Sequence, residues 1–383
     1  MKLAYNPNYP AIDDLRERAR ARIPRFAFEY LDGGCNEDVN LYKNTTELRS
    51  VELKPYYLSS HTTSDLKTEL FGEVYDAPFG IAPIGLQGLI WPNAPEILAK
   101  AAFKHNIPFI LSTVSTSSIE LIAELTEGKF WFQLYHPTEN ALRDDILDRA
   151  EAAGCKTLAV LCDVPTFGFR PRDIRNGLAM PPKMTIQNIL QIMGKPNWAI
   201  NTLIHGQPNF ATLKKYMPKG LNMGQLGAYM NATFSGRVNE AKIAPIRDRW
   251  KGNLILKGVA SEEDTEMAIR LGFDGIIVSN HGGRQLDAGQ STIKTLPSIA
   301  EKYKSKIKIM MDSGVRSGPD VARTLASGAD FAFLGRTFMY AVAALGNEGG
   351  DHAIEILKIQ LKQVMEQVCC AKVEDFSQHL IKN

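Results

Sequence analysis

Short apolar runs recur along the chain, each followed by a longer amphipathic stretch. Eight stand out: FGIAP (79–83), FILS (109–112), FWFQLY (130–135), LAVLCD (158–163), LILKG (254–258), GIIVSN (275–280), IKIMMDS (307–313) and FAFLGR (331–336). Uninterrupted runs of this length predict strands buried on both faces, as in a parallel sheet. Between them, PEILAKAAFKH, ENALRDDILDRAEAAG, SEEDTEMAIRLG and GPDVARTLASG repeat apolar residues at three- and four-residue intervals, the period of helices. Ser261 with Asp264 resembles a capping-box start, and Gly272 and Gly328 stand where helices stop. Eight strand–helix units predict an α/β fold, a (β/α)8 TIM barrel. An open doubly wound sheet would call for a G-x-G-x-x-G turn after an early strand, and the chain has none.

Two segments fall outside the repeat. Residues 1 to about 75 read as a helical N-terminal extension, IDDLRERARARIPRFAFEYLDGG, followed by a hairpin-like stretch, TELFGEVYDAPF. The fourth and fifth strands are about 90 residues apart, far more than one barrel connection needs, so a long insertion follows strand four. The chain is expected to form one domain over 1–383, with 174–240 a basic loop within it.

Composition matters most in that insertion. From Ile174 to Asn239 there is no Asp or Glu, but there are seven Lys or Arg. Six of the twelve methionines lie there (Met180, Met184, Met193, Met217, Met223, Met230), together with Trp198. A basic segment of this kind suits docking on anionic lipid. The plainer reading is a lid over the barrel mouth that happens to be basic. Both remain open at this point.

Overall, 44% hydrophobic residues and a net charge of +2 describe an ordinary globular protein and give no reason to expect nucleic acid as a partner. Five cysteines (Cys35, Cys155, Cys162, Cys369, Cys370) have no zinc or redox spacing, which fits a reducing compartment. The seven histidines show no metal-ligand spacing, so no metal is expected. The first residues do not read as a signal peptide, and no stretch approaches the roughly 18 apolar residues of a membrane span. A cytoplasmic location is expected, possible contact with the inner membrane being peripheral.

In a barrel, functional groups sit at the C-terminal ends of the strands. Here those ends carry Gln133 and Tyr135, Asp163, Lys257, then Ser279, Asn280 and His281, with Arg284 beyond. The seventh strand ends in Asp312, followed by Gly314 and Arg316, and the eighth ends in Gly335 and Arg336. DSGVRSG and LGR place glycine beside arginine. Such a pair offers close backbone N–H groups and a bidentate fork to a phosphorylated ligand, whereas tight turns with exposed arginines are the plain alternative.

SNHGGRQLD (279–287) resembles the active-site signature of the FMN-dependent α-hydroxy-acid dehydrogenase and oxidase family. The resemblance runs nearly end to end, through IPRFAFEYLDGG, APIGLQG, LSTVS, WFQLY, LILKGV, MDSGVRSG and FLGR in family order. It looks strongest toward the membrane-associated L-lactate and mandelate dehydrogenases, which also carry a long segment after strand four. The resemblance implies FMN as cofactor, an L-2-hydroxy acid as substrate, and a homotetramer.

It also implies roles for individual residues. His281 would be the base at the substrate C2, an imidazole suiting proton transfer near neutral pH. Asp163 would orient it and stabilise the imidazolium. Arg170 and Arg284 would clamp the carboxylate, and Tyr30 and Tyr135 would add phenolic hydrogen bonds. Without the resemblance, Tyr30 reads as ordinary helix packing, and a lone histidine as a satisfied surface or core residue. Lys257, costly at the end of an apolar strand unless paired, would offset negative charge on the reduced flavin. Ser112, Gln133 and Ser279 would bond the flavin edge, and Pro83, Ile84 and Gly85 would cover its N5 side. Asp312 and Arg316 would hold the ribityl chain, with Gly314, Gly335 and Arg336 at the phosphate.

Three positions depart from common family choices. Leu161 replaces a threonine that contacts the flavin, Val114 stands where glycolate oxidases tend to carry tryptophan, and Gly85 stands where many oxidases carry alanine. Val114 counts against glycolate, and Gly85, as in the mandelate-type dehydrogenases, favours a quinone or other acceptor over O2; the resemblance puts L-lactate first, with L-mandelate or a longer acid next and an O2-using oxidase as the alternative. The residues leave hydride and carbanion routes equally open. A type 2 isopentenyl diphosphate isomerase would not need Arg170, His281 and Arg284 together. A non-catalytic flavin-binding barrel would not need the acid–base pair.

Overall fold

A computed structural model describes residues 5–58, 60, 63–178, 184–218, 229–234 and 236–381. Two short antiparallel strands, β1 (Thr68–Leu70) and β2 (Glu73–Tyr75), precede eight parallel ones. These are β3 (Phe79–Ile81), β4 (Ile110–Ser112), β5 (Trp131–Leu134), β6 (Thr157–Leu161), β7 (Asn253–Val259), β8 (Gly275–Val278), β9 (Lys308–Met311) and β10 (Phe331–Leu334). All eight fall on the apolar runs of the sequence. The sheet runs β3-β10-β9-β8-β7-β6-β5-β4. A parallel bridge from Ile81 to Phe109, with Ile81 N–H donating to the Pro108 carbonyl at 2.8 Å, draws its two ends together. The result is the expected α/β barrel.

Ala82, Ile110, Trp131, Ala159, Ile255, Ile277, Met310, Phe331 and Phe333 fill the barrel interior. The β1–β2 hairpin plugs the end where the strands begin. Its Leu70 is fully buried, Phe71 lies 5.9 Å from Trp131, and Tyr75 lies 5.9 Å from Phe331. Phe71 approaches so closely that a Cβ at Gly275 would sit 2.7 Å from its ring. With that end sealed by aromatic packing, the opposite end is the open one, where the polar residues lie.

The N-terminal extension forms α1 (Ile12–Arg22), α2 (Arg25–Asp32) and α3 (Val39–Arg49). Pro24 separates α1 from α2, as a ring that lacks an N–H suits a helix start better than its interior. α1 buries Leu15 and Ala19 and packs on the helix Arg336–Leu345, which swings α2 toward the barrel mouth. Ser261 caps its helix as expected, accepting from the Asp264 N–H, and Gly272 and Gly328 follow their helix ends at positive φ.

The insertion contains the helices Ile186–Met193 and Pro196–His205. Trp198 fastens it: the indole is buried edge-on to Phe26 at 5.7 Å, and its N–H donates to the Ile90 carbonyl at 3.1 Å. The other side of these helices is apolar and exposed, notably at Ile186, Leu190, Met193, Leu203 and Ile204. Met180, Met223, Lys183 and Lys219 lie outside the described residues. No helix among the described residues is long and apolar enough to cross a membrane.

Candidate active site

A cavity of about 790 Å³ opens at the C-terminal end of the barrel. The loop after β8 dominates one side. Successive positive φ angles at His281 (59°), Gly282 (67°) and Gly283 (75°) coil it tightly. Only glycine fits the second and third positions: a Cβ at Gly282 would meet Arg336 Nη1 at 2.6 Å, and one at Gly283 would meet the Leu41 backbone nitrogen at 2.5 Å. His281 itself carries the left-handed strain, roughly 1–2 kcal/mol for a non-glycine residue. Its N–H donates to Ser279 Oγ at 3.1 Å. Asn280 anchors the coil by bonding Asn40, Asn44 and the Gly283 N–H.

The turn aims the imidazole at the end of β6. His281 Nδ1 lies 3.2 Å from Asp163 Oδ1. Room for Asp163 comes from Gly258 on β7 (φ 103°), where any Cβ would sit 2.6 Å from the Asp163 side chain. With Nδ1 engaged, Nε2 is the imidazole nitrogen left for the cavity that His281 lines. Asp163 Oδ2 is buried with no hydrogen-bond partner.

Arg170 and Arg284 line the same cavity, beside Tyr30 and Tyr135. The main chain of α2 fixes Arg284, whose Nη1 donates to the Tyr30 and Gly33 carbonyls at 2.8 Å each. The guanidinium lies 5.0 Å from the Tyr30 ring. Burial, then the neighbouring Arg170 charge, pull Arg284 down to about 10. Arg170 reaches Asp173 only at 3.9 Å, and its Nε is buried without a partner. Burial raises the Asp173 carboxyl even though Arg284 and Arg170 pull it the other way. Burial and then Asp163 push the Tyr135 phenol well up, so it stays a neutral hydrogen-bonding group. Two crowded, incompletely neutralised guanidiniums make a receptor for a carboxylate.

On the barrel floor, Lys257 Nζ contacts Asp312 Oδ2 at 2.8 Å and donates to Ser279 Oγ at 3.1 Å. Burial opposes charge on Lys257, but Asp312 and Asp163 outweigh it and the pKa is raised. Asp312 is lowered for the reciprocal reason: burial opposes the carboxylate, while Lys257 and the hydroxyls of Ser279 and Ser313 favour it. Ser112 Oγ donates to Gln133 Oε1 at 2.8 Å, leaving the buried Gln133 amide nitrogen unpartnered. Pro83, Ile84 and Gly85 form the adjoining wall, and a Cβ at Gly85 would crowd Val114 at 2.8 Å. Gly314, Arg316, Gly335 and Arg336 line the far end, at the start of the helix Arg336–Leu345.

This surface fits FMN. Gln133 offers a stranded donor and Lys257 a fixed cation to the ring, and a glycine-bearing helix start offers N–H groups to the phosphate. No group of three or more His, Cys, Asp or Glu among the described residues could hold a metal.

Two residues named from the sequence are held by protein groups. Ser279 does not line the cavity. It lies beneath it, fully buried, with its hydroxyl engaged by Lys257 and the His281 N–H, so it supports the site from behind. The Arg336 guanidinium is also largely committed, donating to the carbonyls of Leu31, Gly33 and Gly282; its side chain ties α2 to the barrel. Asp163 likewise sits behind His281, off the cavity wall. The other site residues named from the sequence all line it.

The sequence reading allowed the insertion to cover the barrel mouth but named none of its residues as part of the site. Leu178, Phe210, Met230 and Phe234 line the cavity, with Phe234 6.0 Å from the Tyr135 ring. The insertion therefore supplies part of the cavity wall, and it also carries the exposed apolar face. Aromatic residues in a basic segment without Asp or Glu were the available signal, but their spacing follows no regular period.

Comparison with known proteins agrees with this geometry. Residues 19–383 match the FMN-dependent dehydrogenase family. An L-lactate dehydrogenase of Vibrio parahaemolyticus is 39% identical over 368 residues, 96% of this chain and 97% of that one. An L-lactate dehydrogenase of Alcaligenes faecalis is 36% identical over 369 residues, again 96% and 97%. Among solved structures, a monotopic membrane protein, (S)-mandelate dehydrogenase, superposes with a TM-score of 0.92 at 31% identity, covering 98% of this chain and all of that one. With an 8-stranded parallel barrel, a cavity suited to flavin, and a match over nearly its whole length, the chain belongs to the FMN-dependent dehydrogenase family.

Proposed function

We propose that the enzyme oxidises a small L-2-hydroxy acid, L-lactate foremost, to the 2-oxo acid. The observation that carries this reading is the convergence of the His281–Asp163 pair and the Arg170–Arg284 pair on one cavity. The arginines hold the substrate carboxylate, and Tyr30 and Tyr135 steady the carboxylate and the C2 hydroxyl. His281 Nε2 then receives one proton: from the hydroxyl if hydrogen leaves C2 as hydride, from C2 itself if it leaves as a proton. Asp163 stabilises the imidazolium that results. Bound FMN supplies the two-electron acceptor. Ser112, Gln133 and Lys257 would hold its ring, Asp312 and Arg316 its ribityl chain, and Gly314, Gly335 and the Arg336 N–H its phosphate.

The electrons pass on to a quinone or comparable acceptor at a membrane that the enzyme touches peripherally, from the cytoplasmic side. Support comes from the exposed apolar face of the insertion and from Phe167 and Ile174, cavity-lining residues that are 41% and 44% exposed. So many large apolar side chains exposed on one segment suit contact with a membrane. A homotetramer is proposed by family resemblance, and the family match over 19–383 supports one FMN-binding unit. A dye-linked assay of 2-oxo acid formation from L-lactate, D-lactate, L-mandelate and glycolate tests the substrate. L-lactate should be turned over fastest and D-lactate not at all; preference for glycolate or the D-acid would overturn the assignment.

A further inference from the structure

Gln285 follows the catalytic loop but is not among the residues that line the cavity. Its amide is nonetheless fully engaged. Nε2 donates to the Asp163 carbonyl at 3.1 Å and to the Thr166 carbonyl at 3.2 Å, while Oε1 accepts from the Gly168 N–H at 3.3 Å. All three partners are main-chain groups of one loop, 163–170, that follows β6. Asp163 opens that loop and Arg170 closes it. Gln285 itself stands one residue after Arg284 and four after His281. A single side chain thus joins two loops, and each loop supplies one half of the acid–base pair and one half of the carboxylate clamp.

The contact is tight as well as bonded. A Cβ at Gly168 would lie 2.1 Å from the Arg284 carbonyl oxygen, so the two loops touch backbone to backbone where the amide bridges them. Asn36 N–H donates to the Phe169 carbonyl and Cys35 N–H to the Gly283 carbonyl, which fixes the far edge of both loops to the turn after α2. Without the Gln285 amide, the near edge of loop 163–170 would lose three bonds together. Asp163 and Arg170 would then be held less closely against His281 and Arg284.

We propose that Gln285 is a positioning residue for catalysis, acting through loop 163–170 to set Asp163 against His281 and Arg170 against Arg284. The inference rests on the roles assigned above to those four residues. Both catalytic functions depend on sub-ångström placement, and a misplacement of about 1 Å can cost ~10²-fold in rate. Gln285→Met keeps the side-chain length and removes every hydrogen bond. Gln285→Glu keeps an acceptor for Gly168 but removes the donor and sets a carboxylate against two carbonyls.

The test measures kcat, KM, flavin content and melting temperature of holoenzyme for both variants, for His281→Gln, for Asp163→Asn and for the Gln285→Met/Asp163→Asn double variant. Both Gln285 variants are expected to lose about 10-fold in kcat and to gain about 10-fold in KM with flavin content unchanged, while the melting temperature falls modestly for the stranded Asp163 and Thr166 carbonyls and the holoenzyme stays folded at the assay temperature. The double variant should lose less than the product of the single losses, because both substitutions act on one pair. Kinetics within twofold of the parent, or a loss that tracks flavin release or unfolding, would overturn the proposal. If His281→Gln is inactive while Gln285→Met is normal, only the role of Gln285 fails. If His281→Gln retains full activity, the assignment of the active site fails first.

Discussion

The imidazole Nδ1 of His281 lies 3.2 Å from Asp163 Oδ1, linking the coiled loop after β8 to the end of β6. An anionic acceptor at that nitrogen fixes the tautomer and orientation of the ring. Asp163→Asn keeps the shape and removes the charge. Its kcat should fall ~10²–10⁴-fold, the usual worth of a positioned acid–base group. Flavin content should stay at the parent level, since Asp163 does not line the cavity. Stopped-flow rates and the flavin spectrum read both quantities.

The two arginines should respond differently to lysine. Arg170→Lys removes a fork whose Nε has no protein partner, so it should raise KM by roughly 10–100-fold while leaving stability alone. Arg284→Lys should raise KM similarly and also lower the melting temperature. Its Nη1 bonds to the Tyr30 and Gly33 carbonyls have no replacement, and stranded acceptors cost about 1–3 kcal/mol. Steady-state kinetics beside thermal denaturation separates the two cases.

The buried Lys257–Asp312 pair ties stability to pH at both extremes. Asp312 is lowered, so its contribution is present above the ordinary carboxylate pKa, near ~3.9, and is lost as pH falls through its still lower folded value. Lys257 is raised, so its contribution is present below ~10.4 and is lost as pH rises through its folded value. Lys257→Met should destabilise the protein at neutral pH by about 3–5 kcal/mol, because it leaves a buried carboxylate unpaired. The alkaline loss due to this lysine should vanish with it. Denaturant titrations from pH 3 to 11 measure the change.

Membrane attachment through the insertion predicts a separable phenotype. Leu203 and Ile204, 82% and 71% exposed, should insert among lipid tails. Burial of one such side chain is worth ~1.5–3 kcal/mol, so Leu203→Asp with Ile204→Asp should weaken vesicle binding by at least ~10²-fold. Turnover with a soluble dye should be unchanged, because neither residue lines the cavity. Flotation of variant and parent with liposomes decides the matter, and equal binding would remove the insertion from the membrane account.

Much of this was readable in the chain because buried parallel strands leave an unmistakable pattern. All eight strands coincide with apolar runs, and the strand-end residues Gln133, Tyr135, Lys257, His281, Asp312 and Arg316 reach the cavity as barrel geometry requires. Depth was not readable. Ser279 and Arg336 stand at strand ends like their neighbours, yet one hydroxyl turns under Lys257 and one guanidinium binds α2 carbonyls. The Ser279 contact spans 22 positions and the Arg336 contacts about three hundred, and neither leaves a local period. The same holds for Gln285, whose partners lie more than a hundred residues earlier, and for Phe210 and Phe234, which reach the cavity through the fold of the insertion.

Anaerobic single turnover tests the central claim most directly. Purified yellow protein and its His281→Gln variant are mixed with L-lactate and then D-lactate, and the flavin absorbance is followed. The account predicts rapid bleaching of the parent by L-lactate only, and bleaching of the variant slower by ~10²-fold or more. Equal bleaching of both proteins, or a parent that stays yellow with every L-2-hydroxy acid offered, would contradict the assignment of His281 as the base.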